Sequence, residues 1–127
     1  MLMQMGQFQE ALAMLKKAVL VNPDFSPAYV NLGVLYIETK NWDKAIGALQ
    51  KAVDIYPDRY RVYDYLGDVY RIKGNVLEAI GMYNKALGLN MYLSDVYLKL
   101  GEIYRASGRK EDAAALAKIA FLEEKSF

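Results

Sequence analysis

The stretch Tyr29-Val30-Asn31-Leu32-Gly33-Val34-Leu35-Tyr36 decides the fold, because its signature returns twice at a constant interval. Thirty-four residues on stands Tyr63-x-x-Leu66-Gly67-x-x-Tyr70, and thirty-four further Tyr97-x-x-Leu100-Gly101-x-x-Tyr104. The same step carries Ala45 to Ala79 to Ala113 and Ala52 to Ala86 to Ala120, with Ala11 and Ala18 continuing both series backwards. Self-similarity at one fixed period marks a repeat architecture, in which each unit buries its apolar face only against its neighbours. Three frames, 26–59, 60–93 and 94–127, follow one another without insertion, and residues 1–25 fit the later part of a fourth. At 127 residues the whole chain, 1–127, reads as one domain.

Each frame reads as two helices. Tyr29, Leu32, Gly33 and Tyr36 recur at spacings of three and four, which puts them on one helical face. Ser26-Pro27 is a start signal, with Ser26 as N-cap and proline in the first turn; Asp58 and Ser94 are the equivalent caps downstream. Turns are expected at Lys40-Asn41, Gly74-Asn75 and Gly108-Arg109, where Gly or Asn takes the left-handed conformation that ends a helix. Second helices then start near Trp42, Val76 and Lys110, and Pro23 and Pro57 close two of the four second helices. A mid-helix glycine costs about 1 kcal/mol relative to alanine. Gly33, Gly67 and Gly101 therefore imply close helix approach, with Ala45, Ala79 and Ala113 expected opposite them. The tyrosines 29, 36, 63, 70, 97 and 104 are expected to put their rings in the core and their hydroxyls near solvent.

These residues resemble the tetratricopeptide repeat family: an aromatic, Leu-Gly and Tyr on the first helix, then Ala, a large apolar residue, Ala and Pro on the second. The frame 26–59 carries the pattern most fully, whereas Met91 replaces the usual proline of the next frame and Ala117 and Lys125 depart in the last. The resemblance implies an all-α, right-handed α-solenoid of helix-turn-helix units whose first helices line a concave face. It implies in turn a protein–protein interaction scaffold that takes a partner peptide or helix in that groove. The specialised clamp for chaperone C-terminal carboxylates is absent, since Val30 and Val34 stand at its Lys and Asn places and Tyr65 at its second Asn. Asp95 with Lys99 stands at its basic pair. The asparagine ladder of another family branch fails too, because Asn31 is followed by Tyr65 and Lys99.

Projection from the signature residues puts Val30, Asn31, Val34 and Ile37 on the groove side of the first frame. Arg61, Asp64, Tyr65, Asp68 and Arg71 follow in the second, and Leu98, Lys99, Glu102 and Arg105 in the third. Intrahelical pairing at i,i+3 or i,i+4 accounts for the charges as Arg61–Asp64, Asp68–Arg71, Asp95–Lys99 and Glu102–Arg105. The functional expectation is that Asp64, Asp68 and Glu102 select basic side chains while valine and isoleucine supply apolar contact.

The ends carry the alternative, a structural module that homo-oligomerises. Gly6-Gln7-Phe8 matches the family's turn and residues 8–22 its second helix, so the apolar side of that helix is expected to be partly exposed. Ile119 and Leu122 sit where most frames carry polar or small residues, and are the candidate self-association positions.

Composition bounds the rest. The chain holds neither cysteine nor histidine, which removes thiolate and imidazole metal sites, cysteine nucleophiles and a histidine base. No phosphate-binding loop is present, so no enzyme activity, cofactor or metal is expected. Sixteen Lys and Arg against fifteen Asp and Glu give no basic excess for nucleic acid, and the acids beside Arg61, Arg71 and Arg105 should cancel their field. There is no secretory signal and no apolar run of membrane-spanning length, which makes the cytoplasm the default location and a membrane no expected partner.

Overall fold

The computed structural model describes the backbone of residues 5–125 and the side chains of residues 6–120. Among these residues seven helices and no strands occur: α1 Met5–Val21, α2 Ser26–Glu38, α3 Trp42–Ile55, α4 Tyr60–Ile72, α5 Val76–Leu89, α6 Ser94–Ala106 and α7 Lys110–Lys125. The architecture is an all-α, right-handed solenoid. Packing is most extensive within the pairs α2/α3, α4/α5 and α6/α7, while each pair touches the next through neighbouring helices.

The turn inside each pair is built from one repeated device. Lys40, Gly74 and Gly108 take positive φ angles of 61°, 85° and 83°. The following residue then donates its N–H back to a signature tyrosine carbonyl: Asn41 to Tyr36, Asn75 to Tyr70 and Arg109 to Tyr104, each at 2.8 Å. This is the Schellman arrangement, which satisfies carbonyls that the helix end would otherwise orphan. In the first turn the left-handed residue is Lys40 rather than Asn41, because Lys40 follows the C-cap Thr39 as Gly74 follows Lys73 and Gly108 follows Ser107.

The glycines are explained by side chains rather than by the small residues expected opposite them. A Cβ built on Gly33 would collide with the Leu49 side chain, and one on Gly67 would lie 2.5 Å from Tyr83 Cε1. Only at Gly101 is the neighbour an alanine, through the Ala113 carbonyl at 3.4 Å. In the first two pairs the large apolar residue of the second helix, Leu49 or Tyr83, thus seats on the bare Cα of the first, while Ala45, Ala79 and Ala113 are buried. One core cluster unites Leu49, Ala52, Val53, Val62, Tyr63, Leu66 and Ala86; a second unites Ala79, Tyr83, Val96, Leu100 and Ile103. Tyr63 is buried, and the other five signature tyrosines are half-buried.

The capping expectations are corrected. Phe25, Arg59 and Leu93 occupy the N-cap positions, with no side-chain cap bond. The first turns close instead through N–H bonds from Ala28 to Phe25, Val62 to Arg59 and Val96 to Leu93, 3.1–3.2 Å long. Ser26 is buried and its Oγ donates to the Ala52 carbonyl at 3.0 Å, tying α2 to the end of α3. Leu93 lies at the cap position of α6 because it packs against both core clusters.

Helix α1 runs through Gly6 and Gln7, so the turn expected there is absent; Gly6 has nothing to meet within 4 Å and its backbone stays helical. One flank of α1 is open: Met14 is 73% and Val21 80% exposed, and together with Ala18 and Phe25 they line a mainly apolar hollow. At the other end Ile119 is 39% exposed, and Leu122 lies outside the described side chains. Among the described residues no helix is long and apolar enough to cross a membrane.

Candidate functional site

The first helices α2, α4 and α6 follow one another along one side of the array, and charged side chains join α4 to α6. Lys99 of α6 reaches back to α4, its Nζ standing 2.8 Å from Asp64 Oδ1 and 3.1 Å from Asp68 Oδ1. Arg71 of α4 donates from Nη2 to Glu102 Oε2 of α6 at 2.7 Å. Lys73, just past α4, pairs with Asp43 of α3. The intrahelical pairs expected of Arg61, Asp64, Asp68, Asp95, Glu102 and Arg105 are not the ones formed. A residue three or four along the same helix loses here to one on the next first helix, which packing already holds at contact distance. Sequence carried a signal for this, since the partners lie 31 or 35 residues apart, close to one repeat.

Tyr83 was legible only as a core residue, yet it also belongs to this cluster. Its ring is fully buried under Gly67, and its hydroxyl emerges to donate to Asp68 Oδ1 at 2.5 Å. Burial, then the bond to Asp68 and that carboxylate's charge, push the phenol far above its ordinary value, so it stays a donor. Burial likewise raises Asp64, outweighing the hydrogen bond and charge of Lys99 that pull it down. For Lys99 the balance is the reverse: burial lowers it, but the bond to Asp64 and the charges of both acids hold it above the ordinary lysine value. Glu102, exposed, is lowered by its bond to Arg71 and that guanidinium's charge.

The apolar part of the expected groove divides in two. Asn31 and Val34 face a hollow shared with Ala11, Met14 and Leu15 of α1. Val30 and Ile37 are half-buried against the α3/α4 core cluster and offer less free surface than the helical projection implied, as does Tyr65. Leu98, Glu102 and Arg105 are exposed on α6. Arg61 is also exposed, stacked over the Tyr60 ring with its Cζ 5.8 Å from the centroid. Tyr56, Arg59 and Tyr60 escaped the sequence reading altogether, although they form the run Tyr56-Pro57-Asp58-Arg59-Tyr60-Arg61 at the junction of two frames.

Stacked helix pairs define a helical-repeat fold, and the comparisons with known proteins give its family. Models of the tetratricopeptide repeat match residues 2–66 and 66–121, and the chain belongs to that family. Members of this family bind protein partners, and the family and fold are of a non-catalytic, protein-interaction scaffold type. Among solved structures the chain is similar to MamA, at 28% identity over 95% of this chain and 71% of that one, with a TM-score of 0.91. MamA 41-end from Desulfovibrio magneticus RS-1 shares the fold at 22% identity and a TM-score of 0.86, over 95% of this chain and 68% of that one. No curated protein matches the sequence significantly.

Proposed function

We propose that this scaffold docks a partner segment along the face of α2, α4 and α6. Exposed Asn31 and half-buried Val34 supply the contact at the α1/α2 hollow, and the Asp64–Asp68–Lys99 cluster supplies the polar contact further on. The observation that carries the reading is that cluster: two carboxylates share one ammonium, which leaves one negative charge in excess on a half-buried surface. A basic side chain of the partner is favoured there, while Glu102 is already neutralised by Arg71. A rigid, preformed face avoids ordering costs on the scaffold's side. Repeat scaffolds commonly bind on such a surface.

The test is a random peptide-display selection on the purified chain beside Asp64→Asn/Asp68→Asn, a variant whose side-chain carbonyl at position 68 can still accept from Tyr83. Peptides with basic residues won by the parent and lost by the variant establish the groove. If both proteins enrich the same sequences, or neither enriches any, the reading fails.

A second reading is self-association through the ends, favoured by the exposed Met14, Leu20 and Val21 and by Ile119. Light scattering on Met14→Lys/Val21→Lys and on Ile119→Lys decides it. An oligomer that survives both changes refutes it.

A further inference from the structure

Asp64, Asp68 and Glu102 of the first-helix face are paired by the chain's own cations, while two guanidinium groups beside them are held by tyrosines instead. Between the end of α3 and the first turn of α4, Tyr56, Asp58, Arg59, Tyr60 and Arg61 line a hollow that Val30 of α2 helps to close. Arg59 Cζ lies 5.1 Å from the centroid of the Tyr56 ring, and Arg61 stacks in the same way on Tyr60. Stacking on a ring face leaves the in-plane N–H fork of Arg59 open to a planar, bidentate acceptor, and Arg61, whose guanidinium also engages the Tyr60 and Tyr65 hydroxyls, keeps further N–H donors beside it. Among the described residues neither arginine has a carboxylate within ion-pair reach, although Asp58 lines the same hollow.

We propose that this hollow is an anion subsite that takes the side-chain carboxylate of an Asp or Glu in a bound partner segment, with a neighbouring apolar side chain against Val30. The proposal rests on the docking face described above. Three features choose the occupant. Val30 and Arg61 belong to the first-helix face itself, so a segment lying on that face passes over the hollow and continues, which favours a side chain over a chain end. Two arginines against Asp58 leave one positive charge in excess, enough for a monoanion. A carboxylate leaves the hollow electrically neutral, whereas a phosphate dianion would leave it with a net negative charge.

The subsite also sets a direction. Arg61 precedes Asp64 and Asp68 on α4 by three and seven residues. At about 1.5 Å of rise per residue the positive and negative spots lie roughly 5–10 Å apart along the helix. An extended segment advances about 3.3 Å per residue. A partner that satisfies both spots therefore carries its acid and its base about two or three residues apart, and their order along its chain fixes the direction in which it lies, because the reverse direction faces like charges.

The test is an NMR titration of the full chain with three dipeptide probes: N-acetyl-Glu-Leu amide, N-acetyl-Gln-Leu amide and N-acetyl-Gln-Leu with a free carboxylate. The expected result is saturable movement of the Arg59 and Arg61 Nε–Hε signals and the Tyr60–Val62 amides by the glutamate probe, at millimolar concentration. The glutamine amide should leave those signals in place. Arg59→Gln and Arg61→Gln should each weaken binding at least tenfold with an unchanged circular dichroism spectrum, Arg61→Lys should fall between, and Lys51→Gln on the outer surface of α3 should bind as the parent does. Equal shifts from both amides, or equal binding by the arginine variants, overturn the subsite. Binding of the free-carboxylate probe alone overturns the side-chain assignment. Display-selected peptides separate the two layers: if they bind Arg59→Gln/Arg61→Gln as tightly as the parent, the subsite falls and the docking face stands. If the glutamate probe binds where no peptide is selected, the docking face falls and the subsite stands.

Discussion

Replacing Gly67 by alanine tests a close helix approach by the sign of its effect. Propensity by itself favours the change, since alanine in a helix interior is better than glycine by about 1 kcal/mol. The tertiary contact opposes it. The added Cβ would lie 2.5, 2.6 and 2.9 Å from Cε1, Cδ1 and Cζ of the Tyr83 ring, whereas carbon atoms rest about 3.5–4.0 Å apart. The ring has no free side to retreat to, because it is fully buried and its hydroxyl is held by Asp68. Either the ring or the whole of α5 must move by about 1 Å, and overpacking of this kind costs roughly 1–3 kcal/mol. Because that penalty is a typical measured value for adding atoms to a core, the rigid seat of this ring puts the variant toward its upper end. After the propensity gain of about 1 kcal/mol, Gly67→Ala should still destabilise by about 1–2 kcal/mol. Gly81→Ala, whose Cβ meets nothing within 4 Å, should stabilise by about 0.5–1 kcal/mol. Urea titrations followed by circular dichroism measure both. A double-mutant cycle with Tyr83→Ala should show Gly67→Ala turning neutral or stabilising once the ring is gone. If Gly67→Ala stabilises as Gly81→Ala does, the seating of Tyr83 on Gly67 is wrong.

Three further outcomes follow from the same reasoning. Lys40 holds a left-handed backbone at φ 61°, so Lys40→Gly should raise stability by about 1 kcal/mol, read as a higher urea midpoint. Tyr83→Phe leaves the packing intact but removes the donor to Asp68; for a half-exposed charged acceptor this should cost about 1–1.5 kcal/mol in the same assay, with Asp68→Asn recovering none of it in the Phe background. The acids of the cluster should act in opposite directions as pH falls from neutrality. Glu102 is lowered in the folded chain, so its contribution is present above the ordinary glutamate range and is lost as pH drops through its folded value; Glu102→Gln should flatten the acid loss of stability. Asp64 is raised, so the folded state binds its proton more tightly and gains as pH falls through that raised value; Asp64→Asn should steepen the loss. A urea midpoint measured from pH 7 down to about 3.5 checks both signs, and equal slopes in the two variants would refute them.

Periodicity is a property of the chain, and so the sequence by itself determined the helices, their order and their family. A period of thirty-four fixes which residues share a face, and the recurrence of Tyr, Leu-Gly and Tyr made the turns at Lys40-Asn41, Gly74-Asn75 and Gly108-Arg109 readable in advance. The second helices start at Trp42, Val76 and Lys110, as the repeat demanded. What the chain could not disclose was which of several adequate partners each group takes. Ser26 suits an N-cap in any local reading, and only the end of α3 lying beside it turns its hydroxyl to Ala52. Asp68 has Arg71 three residues away on its own helix, yet Lys99 and Tyr83 reach it from the next repeat and from beneath. Local geometry permits both arrangements at nearly equal energy, with helical pairs worth only about 0.2–0.5 kcal/mol. The choice between them falls to burial and to the positions that packing imposes on neighbouring helices, and those exist only once the repeats have stacked.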